Sequence, residues 1–161
     1  MNQLSVIDVS KNEELVELYV NDNELKDIDL SNNGKLKYFY CHNNHISMLD
    51  TRNNPLLRHL NATGNPMIAI YSFAPQNDKM LPLNLLAEGE GYVGLKFNPV
   101  YNAQWKETGE WEQTYYAYPK EGHIFTGWYD KEENKISEEM VWKDEYGTSR
   151  ELVAKFDSMK G

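Results

Sequence analysis

Cys41 stands beside His42, with His45 and His59 further along the chain. Thiol and imidazole so placed are the ingredients of a nucleophile–base pair or of a metal site. The spacing of the surrounding residues speaks against both. Val20, Cys41 and Ala62 are separated by 21 positions, as are Leu18, Phe39 and Leu60, so Cys41 belongs to an apolar column that points inward. There it acts as a small apolar residue, while His42, its neighbour on an extended segment, points the opposite way. A structural zinc site takes four converging ligands, and no such set is visible. No metal, cofactor or catalytic residue is assigned.

Asp8, Asp29 and Asp50 recur at the same interval and should stack along one outer face. Oxygen-rich clusters hold calcium, but a full oxygen shell is not visible here. The alternative is that these carboxylates cap turns in solvent, balanced by Lys26 and Arg52. Stacked like charges are destabilising without a counterion, so a cation stays open beside it. The positions flanking Leu18, Phe39 and Leu60 point outward. They set Tyr19 beside Tyr40 and Tyr38 beside His59, followed by His42 and Asn61. Tyrosine offers apolar area and a hydroxyl at low entropy cost and is enriched in binding surfaces. The candidate ligand-binding residues are therefore Tyr19, Tyr38, Tyr40, His42, His59 and Asn61. The competing reading is that neighbouring aromatics only stabilise the sheet.

The elements that position these residues follow from the period. Leu15, Leu36 and Leu57 align, as do Asn23, Asn44 and Asn65, then Leu25, Ile46 and Met67, and Ile28, Leu49 and Ile70. Leu4 and Ile7 supply a partial earlier copy. A fixed period in the twenties marks a solenoid, in which each coil buries its apolar edge against its neighbours. Each unit has two similar halves, 15–23 and 25–33 in the first. Their alternating apolar residues predict short extended segments on two sides, with no room for a long helix. Asparagine closes each half because the chain turns there; it tolerates left-handed backbone and bonds backbone groups at a buried corner.

Composition changes near residue 80. Asparagine is concentrated before residue 67, and all four tryptophans lie after residue 100. Residues 72–82, with Pro75 and Pro82, read as the end of the solenoid and a short connection, which puts the boundary between segments 1–79 and 80–161. Strand-like runs follow at 83–87, 92–97, 113–118, 124–129 and 152–156. The 98–112 stretch between two of them reads as a long polar loop, where Trp105 and Trp111 are expected to be exposed. A net charge of −9 and a pI near 4.9 supply no basic track for nucleic acid. The single cysteine excludes an internal disulfide framework. No apolar run is long enough to span a bilayer, and residues 1–10 lack the basic start and apolar stretch of a signal peptide.

The form L-x-x-L-x-C-x-x-N-x-L-x-x-L-D-x-S-x-N resembles the 21-residue leucine-rich repeats of bacterial surface proteins. Residues 36–44, with Cys41 and Asn44, carry the first half, and residues 28–33, with Asp29 and Ser31, the second. Arg52 departs from it where serine is usual. Residues 118–129 followed by 152–156 resemble the E-G-Y-x-F-x-G-W-Y…L-x-A-x-F core of internalin B-repeat-like modules, with His123 where tyrosine is usual. That second resemblance makes Trp128 a buried anchor. Together the resemblances imply a mostly β chain of the α/β-type leucine-rich repeat class: a short solenoid followed by a small β-grasp-like module. They imply a cell-surface or secreted setting, its signal and anchor outside this chain. The expected task is non-enzymatic adhesion or recognition of a host or bacterial surface protein or glycan, with no membrane insertion by this chain. The alternative is a ligand-free structural stalk within a larger surface protein. A glycosidase is a third reading, without a facing acid pair to support it.

Overall fold

The computed structural model describes residues 2–76, 79–144 and 150–159. The chain is mostly β, with no helix among the described residues. Four strands of three residues come first: β1 (Glu17–Tyr19), β2 (Tyr38–Tyr40), β3 (Met48–Asp50) and β4 (His59–Asn61). Longer ones follow as β5 (Ala69–Gln76), β6 (Lys79–Glu88), β7 (Gly91–Tyr101), β8 (Glu107–Pro119) and β9 (His123–Tyr129). The series closes with β10 (Lys135–Ser137), β11 (Val141–Lys143) and β12 (Arg150–Ser158). They form two mixed six-stranded sheets, ordered β1-β2-β4-β7-β8-β11 and β10-β9-β12-β6-β5-β3.

The 21-residue interval sets the first pairings. β1, β2 and β4 run parallel with Leu18 opposite Phe39 and Phe39 opposite Leu60. On the other side β3 and β5 run parallel with Leu49 opposite Ile70. Phe39, Leu49, Leu60 and Ile70 are all buried. Strands this short make few ladder bonds, so the corners must satisfy the remaining backbone groups. Asparagine does this. Asn44 Nδ2 donates to the Val20 and Cys41 carbonyls at 2.9 and 3.0 Å, and its Oδ1 accepts from Leu25 N–H at 3.0 Å. Asn65 Oδ1 accepts from the N–H groups of Asn44 and Ile46, both at 3.1 Å. A second ladder runs through Asn33, bonded to the Val9 and Asn12 carbonyls, and Asn54, bonded to those of Leu30 and Asn33. One residue before the first ladder, Asp22, Asn43 and Gly64 all have φ near +60°. Residue types tolerant of left-handed backbone occupy that column.

The later strands continue the same two sheets. β7 runs antiparallel to β4, with Leu60 opposite Phe97 and Asn61 opposite Lys96. β6 runs antiparallel to β5 over the whole length of β5. β12 then lies parallel to β6 and antiparallel to β9. Both sheets thus run across residues 79/80, and one apolar cluster joins Leu36, Phe39 and Leu57 to Phe97, Tyr115 and Trp128. Trp128 is fully buried and donates its indole N–H to the Glu139 carbonyl at 2.9 Å.

Two expectations are corrected. Residues 72–82 are not a connection: apart from 77 and 78, which lie outside the described residues, they belong to the β5–β6 pair. Their prolines are tolerated because Pro75 and Pro82 lie beyond the segments of β5 and β6 that β3 and β12 pair, where a strand bonded on one side spares an N–H. The 98–112 stretch is not a loop either. It is mostly the far ends of β7 and β8, paired through Pro99 opposite Trp111 and Tyr101 opposite Glu107.

Candidate functional site

Opposed residues of adjacent strands share a face, and successive residues alternate faces. Phe39, Leu60 and Phe97 face inward, so Tyr19, Tyr38, Tyr40, His59, Asn61 and Lys96 share the outer face of the first sheet. Through the pairing of β7 with β8 this face continues to Tyr92, Gly94, Tyr116 and Tyr118. The rings touch in groups. Tyr19 meets Tyr40 edge-on at 5.1 Å between centroids. Tyr38 stacks on His59 at 4.3 Å, and Tyr101 stacks on His59 at 6.1 Å. Tyr116 lies parallel to Tyr118 at 6.0 Å. Tyr118, which stands opposite Tyr92, leans over Gly94, where a Cβ would stand 3.2 Å from its ring.

The six residues expected from the sequence are all on or beside this face, in different environments. Tyr19 is 51% exposed. Tyr38, Tyr40, His42 and Asn61 are half-buried, with His42 6.2 Å from Tyr40. His59 is 9% exposed, lies between Tyr38 and Tyr101, and its Nε2 is 3.1 Å from the Tyr101 hydroxyl. Burial, aided by the Arg58 charge, lowers the His59 pKa below the usual imidazole value, favouring a neutral ring. It holds the two tyrosines in place. Asn61 Oδ1 accepts from Thr63 N–H and Thr63 Oγ1 at 3.2 and 2.7 Å. Desolvation raises the Tyr19 and Tyr101 phenols above their ordinary value. They therefore stay protonated at neutral pH and offer donors.

The remaining candidates have structural partners. Cys41 is fully buried, and burial pushes its thiol far up, which removes the thiolate a nucleophile needs. Asp8 and Asp29 each accept the N–H two residues on, at 2.9 Å. The Ser10 and Ser31 hydroxyls first, and those N–H groups second, hold the two carboxyls below the ordinary carboxylate value. In the third unit Arg52 forks onto Asp50 at 3.0 and 2.8 Å and covers the Tyr71 ring. A cation is supplied there from the chain itself, at the position where the repeat departs from serine. No three His, Cys, Asp or Glu side chains converge on a metal position among the described residues. Trp105 is 85% exposed, whereas Trp111 is half-buried with the Arg58 guanidinium over it. Asp144 accepts the Tyr115 phenol at 2.8 Å and pairs with Arg150, a buried clasp beneath Trp142.

Tyr92, Tyr101, Tyr116 and Tyr118 extend the face and were not among the residues expected. For Tyr116 and Tyr118 the signal was the alternation in 113–118. With Tyr115, Tyr116 and Tyr118 adjacent, that run does not say which ring faces out until the partner strand is known. The arrangement gives a mostly β protein with one sheet face rich in aromatic rings and hydroxyls. The chain matches no family model, no curated protein and no solved structure. No helix among the described residues is long and apolar enough to cross a membrane.

Proposed function

We propose that this chain is a non-enzymatic recognition module of a bacterial cell-surface or secreted protein, built as a short leucine-rich solenoid joined to a β-grasp-like unit. The ligand is a host or bacterial surface protein or a glycan, held on the outer face of the first sheet. The observation that carries this reading is the run of tyrosine rings over that face, from Tyr19 through Tyr38 and Tyr40 to Tyr116 and Tyr118. Aromatic groups with satisfied, rigid neighbours form effective contact surfaces because little conformational freedom is lost on docking. The leucine-rich reading draws on the repeat motif, the in-register pairing of β1, β2 and β4, and the asparagine ladders.

A specific observation favours the alternative, a ligand-free stalk: the outer rings spend much of their area on one another, as Tyr38 and His59 do. A screen of the intact chain against extracellular proteins and glycans separates the readings. The Tyr38→Ser/Tyr40→Ser variant, with its fold checked by circular dichroism, is screened alongside. Binding by the intact chain that the variant loses supports recognition. No binding by either supports the stalk, and equal binding by both removes β2 from the contact.

A further inference from the structure

The β7–β8 arm ends in a tip, residues 102–106, that displays Trp105 at 85% exposure with φ at +60°. Bulky residues avoid that region of backbone, and the fold's interior makes no use of the ring. The tip is nevertheless well held. Asn102 N–H donates to the Lys106 carbonyl at 2.9 Å, and Trp105 N–H to the Asn102 carbonyl at 3.0 Å. Asn102 Oδ1 accepts from Gln104 and Lys106 N–H at 2.9 and 3.1 Å. The backbone that carries the indole is thus fixed, which lowers the entropy lost on docking. Exposed Glu110 and Glu112 follow it along the arm.

An open groove of about 390 Å³ lies beside Arg58. Pro55, Leu56, Phe73 and Met80 line it, and Lys37 and Arg58 bring cationic groups to it. Leu56 is 47% exposed. Arg58 also pairs with Glu107 on the arm, so tip and groove belong to neighbouring parts of one surface.

We propose that tip and groove are the two halves of a self-complementary contact. The chain forms a two-fold dimer in which Trp105 of each copy enters the Pro55–Leu56–Phe73–Met80 groove of the other. The ring meets an apolar lining, and Glu110 and Glu112 of the arm meet Lys37 beside it, while Arg58 stays paired with Glu107 of its own chain. Because both halves lie close together on one surface, a two-fold axis satisfies both contacts at once and closes the assembly. Two separate apolar exposures, each a solubility liability alone, are covered together.

Sedimentation equilibrium of the full chain across the micromolar range tests this. The expected mass is twice the 18.8 kDa of one chain, and added salt weakens the association. Trp105→Ser and Leu56→Asp alter exposed side chains, so both should keep the wild-type circular dichroism, and each should weaken dimerisation at least roughly tenfold. An equimolar mixture of the two variants should dimerise more strongly than either alone, because one intact tip then meets one intact groove. A wild-type chain that stays monomeric overturns the proposal, including the case where Trp105 instead stacks on a glycan. So does a dimer indifferent to both substitutions, or one that mixing fails to restore.

Discussion

The first 76 residues and the strands after residue 79 reach the same architecture by different means. In the first region β1 to β4 are three residues long, and the corners are bonded by asparagine side chains that reach neighbouring units, as Asn44 and Asn65 do. In the second region β7 and β8 have 11 and 13 residues. Backbone ladders carry the bonding there, and aromatic packing around Trp128, Tyr115 and Trp142 carries the interior. One region is specified by polar side chains at fixed intervals, the other by strand length and ring volume. A face shared by both can therefore be altered on either side without the same structural consequence.

Substitutions sharpen the contrast, beginning with the largest expected effect. Trp128→Ala should cost roughly 3–5 kcal/mol in denaturant unfolding, since it empties the centre of the aromatic interior. Asn65→Ala should cost about 3 kcal/mol, because it strips the N–H groups of Asn44 and Ile46 of their acceptor in a buried corner. Leu would be no better tolerated at position 65, as the loss is of bonds rather than volume. Since both sheets cross from one region to the other, Asn65→Ala should shift the tryptophan-fluorescence and far-UV transitions together. Separate midpoints would show that the regions unfold independently.

His59 links the regions more gently. Its folded pKa lies below its unfolded value through burial, so the unfolded chain binds more protons as pH falls from about 6.5. The His59 contribution to stability is complete above that value and declines as pH falls toward the folded pKa. His59→Asn should remove this part of the pH dependence, read as the difference between the two stability profiles. Smallest of all, Tyr38→Ser/Tyr40→Ser should change stability by about 1 kcal/mol or less per ring, the usual range for cross-strand pairs.

The repeats were legible because their pairing partners lie at a constant interval. Leu18, Phe39 and Leu60 stand opposite one another as the spacing required, and the buried asparagines occupy the corners assigned to them. All five later strand runs lie within β6, β7, β8, β9 and β12. What sequence could not supply was the partner of each outer edge. β4 takes β7 and β5 takes β6, and no period announces an antiparallel match between unlike segments. Pro75 and Pro82 disguised β5 and β6, since proline signals a break unless one side of the strand is known to be unpaired. For the same reason the tyrosines of β1 and β2 were found from spacing, and those of β7 and β8 only once the edge was known.

The central claim is that one sheet presents a single recognition face across both regions. Affinity for a ligand identified in the screen, measured for Tyr38→Ser/Tyr40→Ser and for Tyr116→Ser/Tyr118→Ser, tests it most directly. The account predicts that each pair weakens binding at least roughly tenfold while both variants remain folded. Full affinity in either variant would contradict it.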